Sequence, residues 1–193
     1  WPQLRLRLLV DDAMIDLIGE RIDLAIRAGR LPDSRWIARP LCRFEMILCA
    51  APAYLARHGV PDTPQALADH AWLTSTRDGV DADDGPATMA LDLHRADADA
   101  EVQLQVQARI VSNNQLSLHQ MCEQGMGLAR LGHADAHAAI ERGALVRVLP
   151  QWQSAPLLVS AMTPRRDGDP AKVRVALEAL RRHFTALPGT RPA

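Results

Sequence analysis

Apolar and polar positions alternate at the start of the chain. Leu4, Leu6, Leu8 and Val10 are interleaved with Arg5 and Arg7, the two-residue period of a strand. Asp11 and Asp12 then offer helix N-caps, and Met14, Leu17, Ile18 and Ile22 recur at helical spacing. Leu24–Ile26 is a short apolar run closed by Arg27 and Gly29, so the segment predicts strand, helix, strand: one crossover unit of a parallel sheet. Two further strands are expected over 37–41 and 44–50. Short helices are expected over 53–58, ended by Gly59, and over 64–70, capped by Thr63.

Residues 77–86 collect Asp78, Gly79, Asp81, Asp83, Asp84 and Gly85-Pro86, a breaker-rich loop and a natural lobe boundary. Beyond it Val102, Leu104 and Val106 alternate with three glutamines. Ser112-Asn113-Asn114 then opens a helix whose one face carries Leu118, Met121, Cys122 and Gly125. A strand over 128–131 leads to an Ala-rich helix over 134–142 closed by Gly143, then to strands over 145–149 and 157–162. The last helix is expected to be capped by Asp169 with Pro170 in its first turn, and it repeats Val173, Leu177, Leu180, Phe184 and Leu187 with a 3.6-residue period.

Composition narrows the classes. In 193 residues, 48% hydrophobic and 23% charged content is that of a globular chain with room for a real core. A net charge of -1 lacks the basic excess of a DNA-gripping domain, so this chain is not expected to hold DNA itself. Three cysteines, Cys42, Cys49 and Cys122, without a CxxC pair fit a reducing cytoplasm better than a disulfide framework. No apolar run is long enough to span a membrane.

Candidate chemistry is sparse. Gly125-Met126-Gly127 stands between helix and strand, the reverse of a dinucleotide loop, and reads as a helix stop with tight packing. His133 and His137 have two-ligand metal spacing, but no third ligand stands nearby, and part-solvated polar residues are the preferred reading. Each cysteine lies in an apolar setting and reads as inert rather than redox-sensing. No nucleophile is placed beside a base, so no enzyme is expected and no cofactor is called for. Ser112-Asn113-Asn114 is the exception: it both caps a helix and sets free N–H groups and the positive end of the helix dipole where an anionic group can dock.

The order of segments resembles the effector-binding domain of the LysR-type transcriptional regulators, in the branch that includes the CrgA-like proteins. The first-lobe motifs are DLAIRAG (23–29), Asp33-Ser34, ARPL (38–41) and APAYLARHGVP (51–61), then Leu67 and His70. The second-lobe motifs are Ser112-Asn113-Asn114, EQGMGLA (123–129), and RGALV (142–146) to Leu149-Pro150. Each is weak alone, but their order and spacing cover nearly the whole chain. The resemblance implies a two-lobed α/β fold of the periplasmic-binding-protein type, each lobe a mostly parallel sheet flanked by helices. Lobe I would hold about 1–73 and 157–193, without the family's opening strand and helix, and lobe II 74–156. A DNA-binding winged helix-turn-helix would lie outside this chain.

It further implies a small-molecule effector in the inter-lobe cleft, with an anionic one suiting the helix start. The matching positions are Asp11, Asp12, Ala13 and Met14, Arg27 and Gly29, Ser112, Asn113 and Asn114, and Leu131 and Gly132. Gly132 stands where the family often has proline, which should alter the backbone there. No metal and no membrane contact are implied. DNA would be reached only through the missing N-terminal part, and the chain would work as a cytoplasmic homodimer or homotetramer. The alternative of the same fold is a solute-binding protein acting in transport.

Overall fold

The computed structural model describes residues 4–10, 19–29, 31, 36–78, 80, 86–95, 97–164 and 168–193. In chain order the first elements are β1 (Ala25–Ala28), β2 (Trp36–Phe44), β3 (Met46–Ala50), α1 (Pro52–His58), β4 (Trp72–Ser75), β5 (Thr88–Arg95) and β6 (Ala100–Ser112). Then follow α2 (Gln115–Glu123), β7 (Leu128–Gly132), α3 (His133–Glu141), β8 (Val146–Val148), β9 (Leu157–Pro164), α4 (Ala171–Ala186) and β10 (Thr190–Arg191). They divide into two compact units: unit 1 holds the chain up to Phe44 and from Leu157 onward, unit 2 is Glu45–Pro156. The segment 45–73, expected in the first lobe, belongs to unit 2, because β3 and β4 are interior strands of its sheet, ordered β5-β6-β4-β7-β3-β8.

The sheets are mixed where mostly parallel ones were expected. In unit 1, ordered β1-β9-β2-β10, every described pairing is antiparallel. The reason is connectivity: β2 leads out of the unit and β9 leads back, so Phe44 stands opposite Leu157 and the two strands run in opposite directions. A register shift between Pro40 and Cys42 absorbs a proline that has no N–H to give to the ladder. In unit 2 β4 is parallel to both β6 and β7, and the remaining pairings are antiparallel.

The expected opening strand is not a strand. Residues 4–10 join no sheet, and Leu6, Leu8 and Val10 are more than four-fifths exposed. Alternation supplies two faces, but a strand also needs a partner's N–H and C=O groups, and no described strand offers them here. The helix predicted after it falls on residues 11–18, outside the described residues. Asp169 does not cap α4 either: the N-cap is Pro170, and the Asp169 carboxylate takes Arg39 Nη2 at 2.8 Å.

Among the described residues, unit 2 carries the larger core. Met89, Leu91 and Leu93 point inward from β5 onto Val106, while Thr88, Ala90 and Asp92 face out. Trp72 is fully buried and donates its indole N–H to Leu67 O at 2.9 Å. Tyr54 of α1 accepts the Ala71 N–H at 3.0 Å and lies 3.2 Å from His70 Nδ1. The phenol and the imidazole thus form a buried hydrogen bond. Gly127 shows why that glycine stands there: a Cβ added to it would come within 2.5 Å of Ala71 O, the carbonyl that accepts Leu128 N–H at 2.8 Å.

Candidate functional site

Three strand ends meet in unit 2. Strand β4 lies between β6 and β7 and runs parallel to both, with Ser75 in register with Ser112. Their carboxyl ends, Ser75, Ser112 and Gly132, therefore open side by side. The connection from β6 passes through α2 to β7 on the far side of β4, so this is a switch point of the sheet, where α/β folds hold ligands.

The turn after β6 is built by its own side chains. Asn114 N–H donates to Ser112 Oγ at 3.0 Å, and Asn114 Oδ1 accepts Ser117 N–H at 2.8 Å and Ser117 Oγ–H at 3.1 Å. Asn114 is thus the N-cap of α2. Both the capping and the ligand-facing expectations were attached to these three residues. The geometry spends the Ser112 and Asn114 oxygens on the turn and leaves Asn113 exposed on it.

Ser75, which sequence reasoning passed over, is the third strand end. Its N–H donates to Asp78 Oδ2 at 3.2 Å, and Asp78 is ion-paired with Arg130 of β7. The signal was legible: Thr74-Ser75-Thr76 is a polar run directly after the buried pair Trp72-Leu73.

Leu131 packs its side chain into the core at 1% exposure, so only its backbone belongs to this corner. Gly132 has φ -63 and ψ 131, a backbone that proline also holds. The expected backbone change at the glycine is therefore absent, and the difference from proline lies in the ring and the extra N–H.

Directly after it, His133 N–H donates to Glu45 O at 2.9 Å, and His133 Nδ1 lies 3.0 Å from Glu45 Oε2. Arg147 Nη2 takes the other carboxylate oxygen at 3.0 Å. Burial alone would raise the Glu45 carboxyl. The His133 hydrogen bond and the charges of Arg147 and His133 outweigh it and hold the group below its ordinary value. His137 lies 3.4 Å from Glu141. Both histidines of the possible metal pair are thus engaged with carboxylates, and no cluster of three ligands occurs among the described residues.

In unit 1, Arg27 sits on β1 opposite Ser160, and Gly29 follows at φ +89 with its N–H on Leu158 O at 2.8 Å. Asp11, Asp12, Ala13 and Met14 lie outside the described residues. Hydroxyls, a side-chain amide and helix-start N–H groups make the unit 2 corner suited to reversible hydrogen bonding with a small polar group.

Comparison with known proteins places this geometry. Residues 1–185 match the family model of the LysR substrate binding domain. The HTH-type transcriptional regulator PtxR of Pseudomonas aeruginosa is 34% identical over 190 residues, covering 97% of this chain and 57% of the relative. The HTH-type transcriptional activator AaeR of Escherichia coli is 32% identical over 187 residues, covering 97% and 58%. Among solved structures, the regulatory domain of CrgA from Neisseria meningitidis superposes with a TM-score of 0.77 at 25% identity, covering 95% of this chain and 85% of that one. The chain spans a little over half the length of the curated relatives it matches.

Proposed function

Because the chain belongs to the LysR substrate binding domain family, with its two-lobed α/β fold, we propose that it senses a small polar molecule on behalf of a DNA-binding transcriptional regulator. The observation that carries the reading is the meeting of Ser75, Ser112 and Gly132 at three strand ends beside the start of α2. The helix dipole and the N–H groups of that start favour an anionic effector, a carboxylate above all.

In unit 1 the proposal assigns Arg27 and Gly29, with Asp11, Asp12, Ala13 and Met14, to the effector as well. Sequence-specific DNA recognition is assigned to a part of the regulator outside this span, and two-fold self-association through lobe I, to a dimer or tetramer, to the working state. Palindromic operators call for such symmetry. Function in the cytoplasm follows from the same reading. No described helix is long and apolar enough to cross a membrane. The relatives named above are regulators, and no observation favours transport.

Thermal shift with a panel of small carboxylates tests the effector reading. A ligand at a hundred times its Kd stabilises the folded state by about 2.7 kcal/mol, several degrees in Tm. The expected result is a shift with wild type that is lost in Ser112→Ala and Asn113→Ala. A shift of equal size in wild type and both variants removes this corner from the effector site.

A further inference from the structure

Arg130 is out of keeping with its surroundings. Strand β7 reads Leu-Ala-Arg-Leu-Gly and lies between β4 and β3 in the sheet of unit 2. Arg130 stands opposite Leu48 of β3, which stands opposite Val148 of β8, and both of these are buried. On the other flank the register Leu73–Ala129, carried one residue on, sets Thr74 beside Arg130, on strands about 4.8 Å apart. Thr74 in turn pairs with Val111 of β6. A guanidinium is thus placed in a row of valine, threonine and leucine, where a charge is costly unless it is paired. Unit 2 is also acidic, with 7 Lys and Arg against 14 Asp and Glu, a net of -7, whereas unit 1 has 15 against 9, a net of +6. Arg130 is a point of attraction for anions in a body that otherwise repels them.

Asp78 meets part of that demand. One carboxylate oxygen takes Arg130 Nη2, and the other turns away to accept the Ser75 N–H at 3.2 Å. The carboxylate therefore bridges the strand end and the arginine. It does not lie along the Nε–Nη2 edge of the guanidinium, the two-bond geometry in which arginine and carboxylate fit best. Among the described residues, Arg130 Nε and Thr74 Oγ1 are accordingly buried with no hydrogen-bond partner, and Thr74 is only 1% exposed. A carboxylate seated on the Nε–Nη2 edge satisfies Nε, and the neighbouring Thr74 hydroxyl supplies a third donor. The Arg130 and Asp78 side chains are 22% and 17% exposed, so solvent reaches the pair from one side.

We propose that Arg130 and Thr74 form a carboxylate-binding site whose internal occupant is Asp78, and that an anionic effector displaces Asp78 from it. The exchange conserves charge at Arg130, because one carboxylate leaves as another enters. It frees the Ser75 N–H and the 3-10 turn Thr76–Asp78, which leads into a sequence bearing Asp81, Asp83 and Asp84. Occupancy is thereby converted into release of the turn from the end of β4. The proposal rests on the reading of the chain as an effector-sensing domain, and it supplies a cation for the carboxylate which that reading invokes.

NMR titration with sodium acetate and with sodium benzoate tests it, at an ionic strength held constant with sodium chloride. The signals followed are the Arg130 Nε–H, assigned by its loss in Arg130→Gln, and the Ser75 amide. In wild type both probes should shift the Arg130 signal and speed hydrogen exchange at Ser75. Asp78→Asn removes the competing charge and keeps a side-chain oxygen for the Ser75 N–H. Its apparent Kd should fall about tenfold or more, the change expected when a site occupied in about nine molecules of ten is vacated. Arg130→Gln should bind neither probe. That variant leaves Asp78 without its cation, so Arg130→Gln/Asp78→Asn, a neutral pair of similar shape, is measured beside it and should give the same result. Equal affinity in wild type and Asp78→Asn, or binding retained in the double variant, overturns the proposal. So does an equal response when sodium chloride alone is titrated, which would leave no preference for carboxylate. Failure here is distinguishable from failure of the effector reading. A thermal shift lost in Ser112→Ala while Arg130 stays silent strikes this site and leaves sensing at the start of α2. Probe binding at Arg130 that Ser112→Ala leaves unchanged does the reverse.

Discussion

The two units solve the burial problem differently. Unit 2 closes one continuous core in which Trp72, Leu67, Leu91, Leu118, Leu128 and Leu145 are fully enclosed. In unit 1 Val159, Ala161 and Met162 of β9 and Val173 and Leu177 of α4 are buried, and Phe44 of β2 meets Phe184 of α4 with ring centroids 6.0 Å apart. It leaves Leu6, Leu8 and Val10 in solvent. Among the described residues the larger buried core is that of unit 2, so stability is expected to reside mainly there, whereas unit 1 carries an excess of positive charge. The comparison also shows that a chain-wide net charge describes neither body.

The sharpest way to break this picture is to empty the unit 2 core. Trp72→Ala removes the largest enclosed side chain and the donor to Leu67 O, and should cost about 3–5 kcal/mol in denaturant unfolding. A cost under about 1 kcal/mol would mean that unit 2 does not hold the fold. Gly127→Ala comes next. Its Cβ meets backbone rather than a flexible side chain, so about 1–3 kcal/mol is expected, together with a lower Tm.

Acid should act on unit 2 in two windows. Burial, and then the charge of His58, hold His70 below its ordinary value against the opposing pull of Asp69. The unfolded chain then binds the proton more readily, so this contribution is present above about 6.5 and lost as pH falls below it. Glu45 is also held low, so its contribution is present above about 4.5 and lost at lower pH. Stability measured against pH should lose the upper step in His70→Asn and the lower in Glu45→Gln. Steps that persist in both variants would assign the acid response to other groups.

Asn114→Ala should cost about 1 kcal/mol by uncapping α2, read from helical signal and Tm together. The smallest effect is expected in unit 1: Leu6→Ser and Leu8→Ser should stay within about 0.5 kcal/mol, because neither side chain is buried. A larger loss would show that residues 4–10 pack in solution.

Periodicity made much of the fold legible. Helix α4 was announced by Val173, Leu177, Leu180 and Phe184, α2 by its caps, and β6 by its glutamine alternation. Met89, Leu91 and Leu93 carried the same signal for β5, which went unread beside the acidic loop. Partnership was not legible. Alternation at 4–10 looks the same with or without a neighbour, and strand direction is decided by where β9 returns. Of the candidate site, Asn114 and Gly132 were readable from their residue types. Ser75 gains meaning only from its register with Ser112, a contact across 37 positions of sequence.

The three cysteines, read above as inert, have a further use. Cys49 and Cys122 in unit 2 are fully enclosed, and burial pushes their thiols up to about 12, so at neutral pH roughly one in 10⁵ is a thiolate. Cys42 in unit 1 is likewise enclosed and raised. Alkylating reagents can reach these sulfurs only when the surrounding unit opens. The chain thus carries intrinsic clocks for its own breathing: mass spectrometry of labelled peptides would time the opening of unit 1 at Cys42 and of unit 2 at Cys49 and Cys122, without a dye or an engineered site.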